Sequence, residues 1–174
     1  MSNLRIGVIG PTDPLCSLKI LGLEFVEFMT DIEFVGQYIA NLGHSIVICP
    51  DIGEQGLSMA SLIASAYRRF KGREILGVIP IADERWGSSR LDRSLCDKIV
   101  TCDSWGDVGI KLLEISDKIV VIGLSPGTMI ELCWGKWIKK KLYILKKYIS
   151  TIPQELINDI EAELIDITDL SKIT

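Results

Sequence analysis

One stretch constrains this chain more than any other: Ile119-Val120-Val121-Ile122-Gly123-Leu124-Ser125-Pro126-Gly127-Thr128-Met129-Ile130-Glu131. Four consecutive apolar residues, all of them β-branched Ile or Val, make a strand buried on both faces, which is how parallel strands read. The run ends in small residues, and a helix-forming segment begins directly after the turn. A buried strand, a tight turn and a helix start in that order define a βα unit, and such units place free helix N–H groups at the carboxyl edge of a sheet.

The rest of the chain repeats the alternation of short apolar runs with segments of helical period. Strands are expected at Arg5 to Gly10, Ser45 to Cys49, Ile75 to Ile79, Lys98 to Cys102, Lys118 to Gly123 and Leu142 to Leu145, with an edge strand near Leu164 to Ile167. Between the first two, Leu21, Phe25, Phe28, Ile32, Val35 and Ile39 draw one apolar stripe, so a single helix is expected from about Leu18 to Asn41. A second helix carries Met59, Leu62, Ile63, Ala66 and Phe70, and others lie within Asp103 to Ser116 and from Thr128 to about Lys139. The last helix is expected to start at Thr151-Ile152-Pro153-Gln154, which has capping-box spacing, and to reach about Glu163. Strands separated by helices imply right-handed crossovers. The expected architecture is a three-layer, Rossmann-like α/β domain with a mainly parallel sheet of six to seven strands, a single domain over residues 1–174.

Composition narrows the function classes. A hydrophobic content of 48% suits a sheet covered on both faces, and a net charge of −4 implies no general nucleic-acid surface. The apolar run Ile6 to Gly10 is too short for a signal-peptide core or a membrane span, so a cytoplasmic protein is expected. Cys16, Cys49, Cys96, Cys102 and Cys133 form no C-x-x-C pair and have only His44 to join them, so no metal site is expected. The cysteines read as structural, Cys49 and Cys102 as small hydrophobes at strand ends. His44, after Gly43, reads as a surface or capping residue, and the lysines from Lys136 to Lys147 as a solvated edge.

Three turns fall at the carboxyl ends of strands: Gly10-Pro11-Thr12, Gly53 to Gly56 including Gln55, and Ser125-Pro126-Gly127-Thr128. Parallel sheets bind ligands at that edge, and a helix N-terminus there favours an anion. These residues are the candidate ligand contacts. Glu131 is the candidate chemical group, since a carboxylate stabilises positive charge or orients water. Its competing role is structural: Thr128-x-x-Glu131 has the spacing of a capping box. Arg85, Arg90 and Arg93 follow the third strand and read as a solvated loop, the alternative being that one arginine swings toward a phosphate.

Three segments carry a resemblance to a known family. Asp51-Ile52-Gly53-Glu54-Gln55-Gly56-Leu57-Ser58-Met59, Gly72 to Pro80, and Ser116 through Glu131 are similar, in order and spacing, to the motifs of the Lonely Guy-type, lysine-decarboxylase-like Rossmann family. The resemblance extends from Arg5 to about Asp169, with Gly127, Thr128 and Glu131 in register. It implies a Rossmann-like fold, a nucleotide-like ligand and a homodimer. Enzymatic members hydrolyse the N-glycosidic bond of nucleoside monophosphates, and the resemblance would make Glu131 catalytic. The departures point to a divergent member: Gly123-Leu124-Ser125 replaces the family's Pro-Gly-Gly, Pro126 enters the turn, and Val108-Gly109 stands where hydrolases carry Arg-Lys.

Binding of a nucleotide or nucleotide-derived small molecule is therefore the leading expectation. A nucleoside-monophosphate phosphoribohydrolase and a ligand-free scaffold or interaction domain are its alternatives. No separate cofactor, nucleic-acid partner or membrane partner is expected. Leu23, Val26, Met29 and Phe34 beside the first stripe, with Trp134 and Trp137, supply surplus apolar surface for a homodimer.

Overall fold

The computed structural model describes residues 3–53, 56–81 and 90–173. Seven strands form one wholly parallel sheet: β1 (Arg5–Ile9), β2 (Ser45–Ile48), β3 (Ile75–Pro80), β4 (Lys98–Cys102), β5 (Lys118–Val121), β6 (Leu142–Leu145) and β7 (Ala162–Ile165), in the order β4-β3-β2-β1-β5-β6-β7. β2, β3 and β6 are buried along their whole length, as expected of strands covered on both faces, while the edge strand β4 is largely exposed.

Among the described residues, six α-helices cover the sheet: α1 (Pro14–Leu21), α2 (Phe25–Asn41), α3 (Met59–Arg69), α4 (Trp105–Ile115), α5 (Pro126–Ile138) and α6 (Gln154–Asp159). Alternate strand residues serve the two faces. Ile6, Val8, Ile46 and Ile48 pack with Phe28, Ile32 and Ile63 of α2 and α3, whereas Val47, Val78, Val121 and Ile144 pack with Leu112, Leu132 and Ile157 of α4, α5 and α6. The chain builds outward from β1 to β4, then α4 carries it back to β5 on the other side of β1. That reversal opens a crevice between the carboxyl ends of β1 and β5, where connections diverge to opposite faces.

Several expectations are corrected. The single helix from Leu18 to Asn41 is two helices, because Gly22 adopts a left-handed φ of 67° and its N–H returns to the carbonyls of Leu18 and Lys19. Leu23 and Met29 pack against the core and are not surplus surface, while Val26 (78% exposed) and Phe34 (45%) are. The Thr151–Gln154 capping box does not form: Pro153 occupies the cap without a side-chain bond, and α6 stops at Asp159. The residues freed by that early stop begin β7, which pairs with β6 as the edge strand.

His44 is buried, not on the surface. Its Nδ1 accepts from the Leu4 N–H at 3.4 Å, and its carbonyl accepts from the Tyr67 hydroxyl at 2.6 Å. Burial, followed by nearby Lys118, holds the imidazole below its ordinary value against the opposing pull of Asp117. All five cysteines are free thiols, and Cys16 and Cys133 are exposed, which corrects the structural reading for those two. Lys136, Lys141, Lys146 and Lys147 pair with Asp159, Glu163, Asp166 and the Glu27–Asp31 pair, so the basic edge is a set of surface ion pairs. No helix among the described residues is long and apolar enough to cross a membrane.

Candidate functional site

A cavity of about 280 Å³ lies in the β1/β5 crevice. Its floor is the carboxyl end of β1, and its walls are the starts of α3, α4 and α5. Three helix N-termini therefore border one space, and each contributes partial positive charge and N–H groups without helical partners.

The β1 turn is built by close packing. A Cβ on Gly10 would fall 2.4 Å from the Ile122 carbonyl oxygen and 2.8 Å from Met59 Cγ, so this turn admits no side chain. The Pro11 carbonyl accepts from the Met59 N–H at 3.2 Å, and Thr12 Oγ1 donates to Asp51 Oδ2 at 3.1 Å. Asp51, just beyond β2, ties the neighbouring turn into the same unit. Its Oδ1 accepts from the Gly53 N–H at 2.7 Å and its carbonyl accepts from the Ser58 hydroxyl, while Ser58 Oγ caps α3 through the Ser61 N–H.

The α5 turn answers a question the sequence leaves open. Ser125 is the cap: its Oγ accepts from the Thr128 N–H at 3.2 Å and lies 3.0 Å from Thr128 Oγ1. Pro126 fills the first helical position, where a missing N–H costs nothing. Thr128 is thus already inside the first turn, and the expected Thr128–Glu131 capping box does not exist. Glu131 is released from that structural duty and lines the cavity.

Its carboxyl lies against α4 at Gly109, where a Cβ would come within 2.7 Å of Glu131 Cγ. Glycine at this position is what makes room. The site surrounds Glu131 densely although the residue as a whole is only half-buried, and burial alone pushes its carboxyl up to about 7. Cys49 beside it is held well above the ordinary thiol range by burial first, then by Asp51 and Glu131. This thiol is protonated and a poor nucleophile. The Trp105 ring also borders the cavity, with its Nε1 buried and unpartnered among the described residues.

Of the candidate residues, Gly10, Pro11, Thr12, Ser125, Gly127, Thr128 and Glu131 surround this cavity. Pro126 stands in the same turn but faces outward. Gly53 and Gly56 do not line it. Gly53 has a φ of 66° and backs onto Thr12, its absent Cβ only 2.5 Å from the Thr12 carbonyl oxygen; Gly56 faces open space. Gln55 lies outside the described residues, as do Glu54 and Arg85; Arg90 and Arg93 are not among the lining residues. Sequence reading missed Asp51, Gly109, Trp105 and Trp134, all of which border the cavity. Asp51 carried a readable signal, a carboxylate directly after a buried strand. The others did not, because they reach the site from helices.

Fold and crevice define a Rossmann-like α/β domain with a cavity at the β1/β5 switch point. No family model matches the sequence, and no curated protein matches it. Solved structures do share the fold. The molybdenum cofactor carrier protein of Chlamydomonas reinhardtii superposes with a TM-score of 0.70 at 16% identity, over 99% of this chain and 96% of that one. The molybdenum cofactor binding protein of the phototrophic bacterium Rippkaea orientalis gives the same TM-score, identity and shares. DNA processing protein A of Helicobacter pylori, described by its single-stranded DNA binding mode, has a TM-score of 0.61 at 13% identity, over 99% and 80%. The Rossmann-like architecture implied by the resemblance to the lysine-decarboxylase-like family is thus the fold of this chain, in a highly divergent sequence.

Proposed function

We propose that the protein binds a nucleotide or nucleotide-derived small molecule in the β1/β5 cavity. The observation that carries this reading is the convergence of three helix N-termini and the β1 turn on one half-open cavity. Phosphate fits best at α5, where the first-turn N–H groups have no helical partners and Ser125, Gly127 and Thr128 border the cavity. A volume of about 280 Å³ is at the small end for ligand sites and suits a mononucleotide rather than a dinucleotide. The cofactor-binding proteins of like fold support small-molecule binding as the general class. Titration calorimetry with nucleoside mono- and diphosphates tests the reading, with Gly127→Val as control. The Gly127 position is open, with only Ser125 Oγ nearby at 3.8 Å, so valine obstructs the ligand without disturbing the core. No binding at millimolar ligand refutes it.

Glu131 favours a second reading, N-glycosidic hydrolysis of a nucleoside monophosphate. A carboxyl held at about 7 is poised to pass a proton to a departing base at neutral pH. Base release that disappears in Glu131→Gln would place hydrolysis above simple binding. A homodimer belongs to the same proposal, with Val26 and Phe34 of α2 or the 73%-exposed Trp137 of α5 supplying the apolar contact. Light scattering showing the 19.3 kDa of one chain would exclude it.

A further inference from the structure

Glu131 and Trp134 are three residues apart on α5 and so share one face of the helix, and both line the cavity. Glu131 has no hydrogen-bond partner among the described residues. A half-buried carboxyl on the cavity wall with no partner in the chain has its acceptor oxygens available to a ligand donor. Trp134 is 40% exposed and forms the wall between this cavity and a neighbouring apolar hollow lined by Met129, Ile130, Cys133 and Trp137. Trp134 and Ile130 line both spaces. Next to the unpaired carboxyl there is therefore an aromatic surface, while the N–H groups suited to phosphate stand one turn back along the same helix.

We propose that Glu131 and Trp134 form a heterocycle-reading subsite, in which the indole stacks on a planar nitrogen ring and the carboxyl takes that ring's N–H edge. This rests on the nucleotide-type ligand proposed above and adds which half of the cavity reads the ring. The chemistry recognised is a flat heterocycle with an exposed N–H edge, which a nucleobase and a pterin share. Stacking on an aromatic side chain is indifferent to ring identity, whereas the edge pairing selects for an N–H donor.

The test measures affinities of guanosine monophosphate, neopterin and ribose 5-phosphate by calorimetry for the wild-type chain, Trp134→Ala, Trp134→Phe and Glu131→Leu. Trp134→Ala is expected to weaken guanosine monophosphate or neopterin by about tenfold or more, with ribose 5-phosphate unchanged. Trp134→Phe is expected to recover most of the loss, and Glu131→Leu to weaken the heterocycles alone. The two heterocycles separate a nucleobase from a pterin as the source of the ring. If guanosine monophosphate or neopterin binds and neither position matters, the subsite is wrong while the broader reading stands. Equal weakening of ribose 5-phosphate by Trp134→Ala also overturns the subsite. If no probe binds the wild-type chain, both readings fall together. Trp134→Phe and Glu131→Leu keep the test decisive if Trp134→Ala does not fold.

Discussion

Replacing Glu131 by glutamine probes the electrostatics of the cavity without any ligand. Burial moves the carboxyl from 4.5 to about 7, so the folded chain keeps a proton there at pH values where the unfolded chain has released it. A raised carboxyl stabilises the fold below its unfolded value, and that contribution is lost as pH rises from about 4.5 through about 7. At about 1.4 kcal/mol per pH unit, the ionised carboxyl costs the fold up to about 3 kcal/mol at pH 8. Glutamine has nearly the same shape and no charge to desolvate, so the variant should be the more stable protein at pH 8 and close to wild type at pH 5. For a urea slope of roughly 2 kcal/mol per molar, the midpoint at pH 8 rises by about 1 M or more. Urea unfolding at the two pH values, followed by tryptophan fluorescence, reads this directly. Equal midpoints at pH 8, or a less stable glutamine variant, would mean that the carboxylate has a partner in the fold and that the reasoning about Glu131 is wrong.

Removing the α5 cap with Ser125→Ala should cost about 1 kcal/mol and lower Tm by about 3 °C, whereas Thr128→Ala, which removes no cap, should cost less. The two glycines lining the site should separate cleanly: Gly10→Ala drives a methyl into the Ile122 carbonyl and should destabilise by about 2 kcal/mol, while Gly127→Ala should be nearly neutral in thermal unfolding. His44 opposes Glu131 in acid. Its depressed imidazole leaves full stability above about 6.5 and withdraws it as pH falls below that value. A Glu131→Gln chain should therefore still lose stability as pH falls below about 6.5, seen as a falling urea midpoint.

The strands were legible because burial on both faces leaves an unbroken apolar run, as in Ile119 to Ile122, and their parallel arrangement because each run is followed by helical spacing. The turns at the carboxyl ends of β1 and β5 could be picked out for the same reason, since Gly10 and Gly127 close short connections directly after such runs. What no local pattern contains is strand order: only packing sets β5 beside β1, and that neighbour relation creates the cavity. The α5 cap shows the same divide at the scale of one turn. Ser125-Thr128 and Thr128-Glu131 have identical capping spacing, and the choice between them depends on where β5 ends against β1. Because the tertiary structure chooses Ser125, Glu131 is free to enter the cavity. Gly109, twenty-two residues earlier and on another helix, then decides how deeply it lies, since only the α4–α5 packing brings that missing Cβ against the carboxyl.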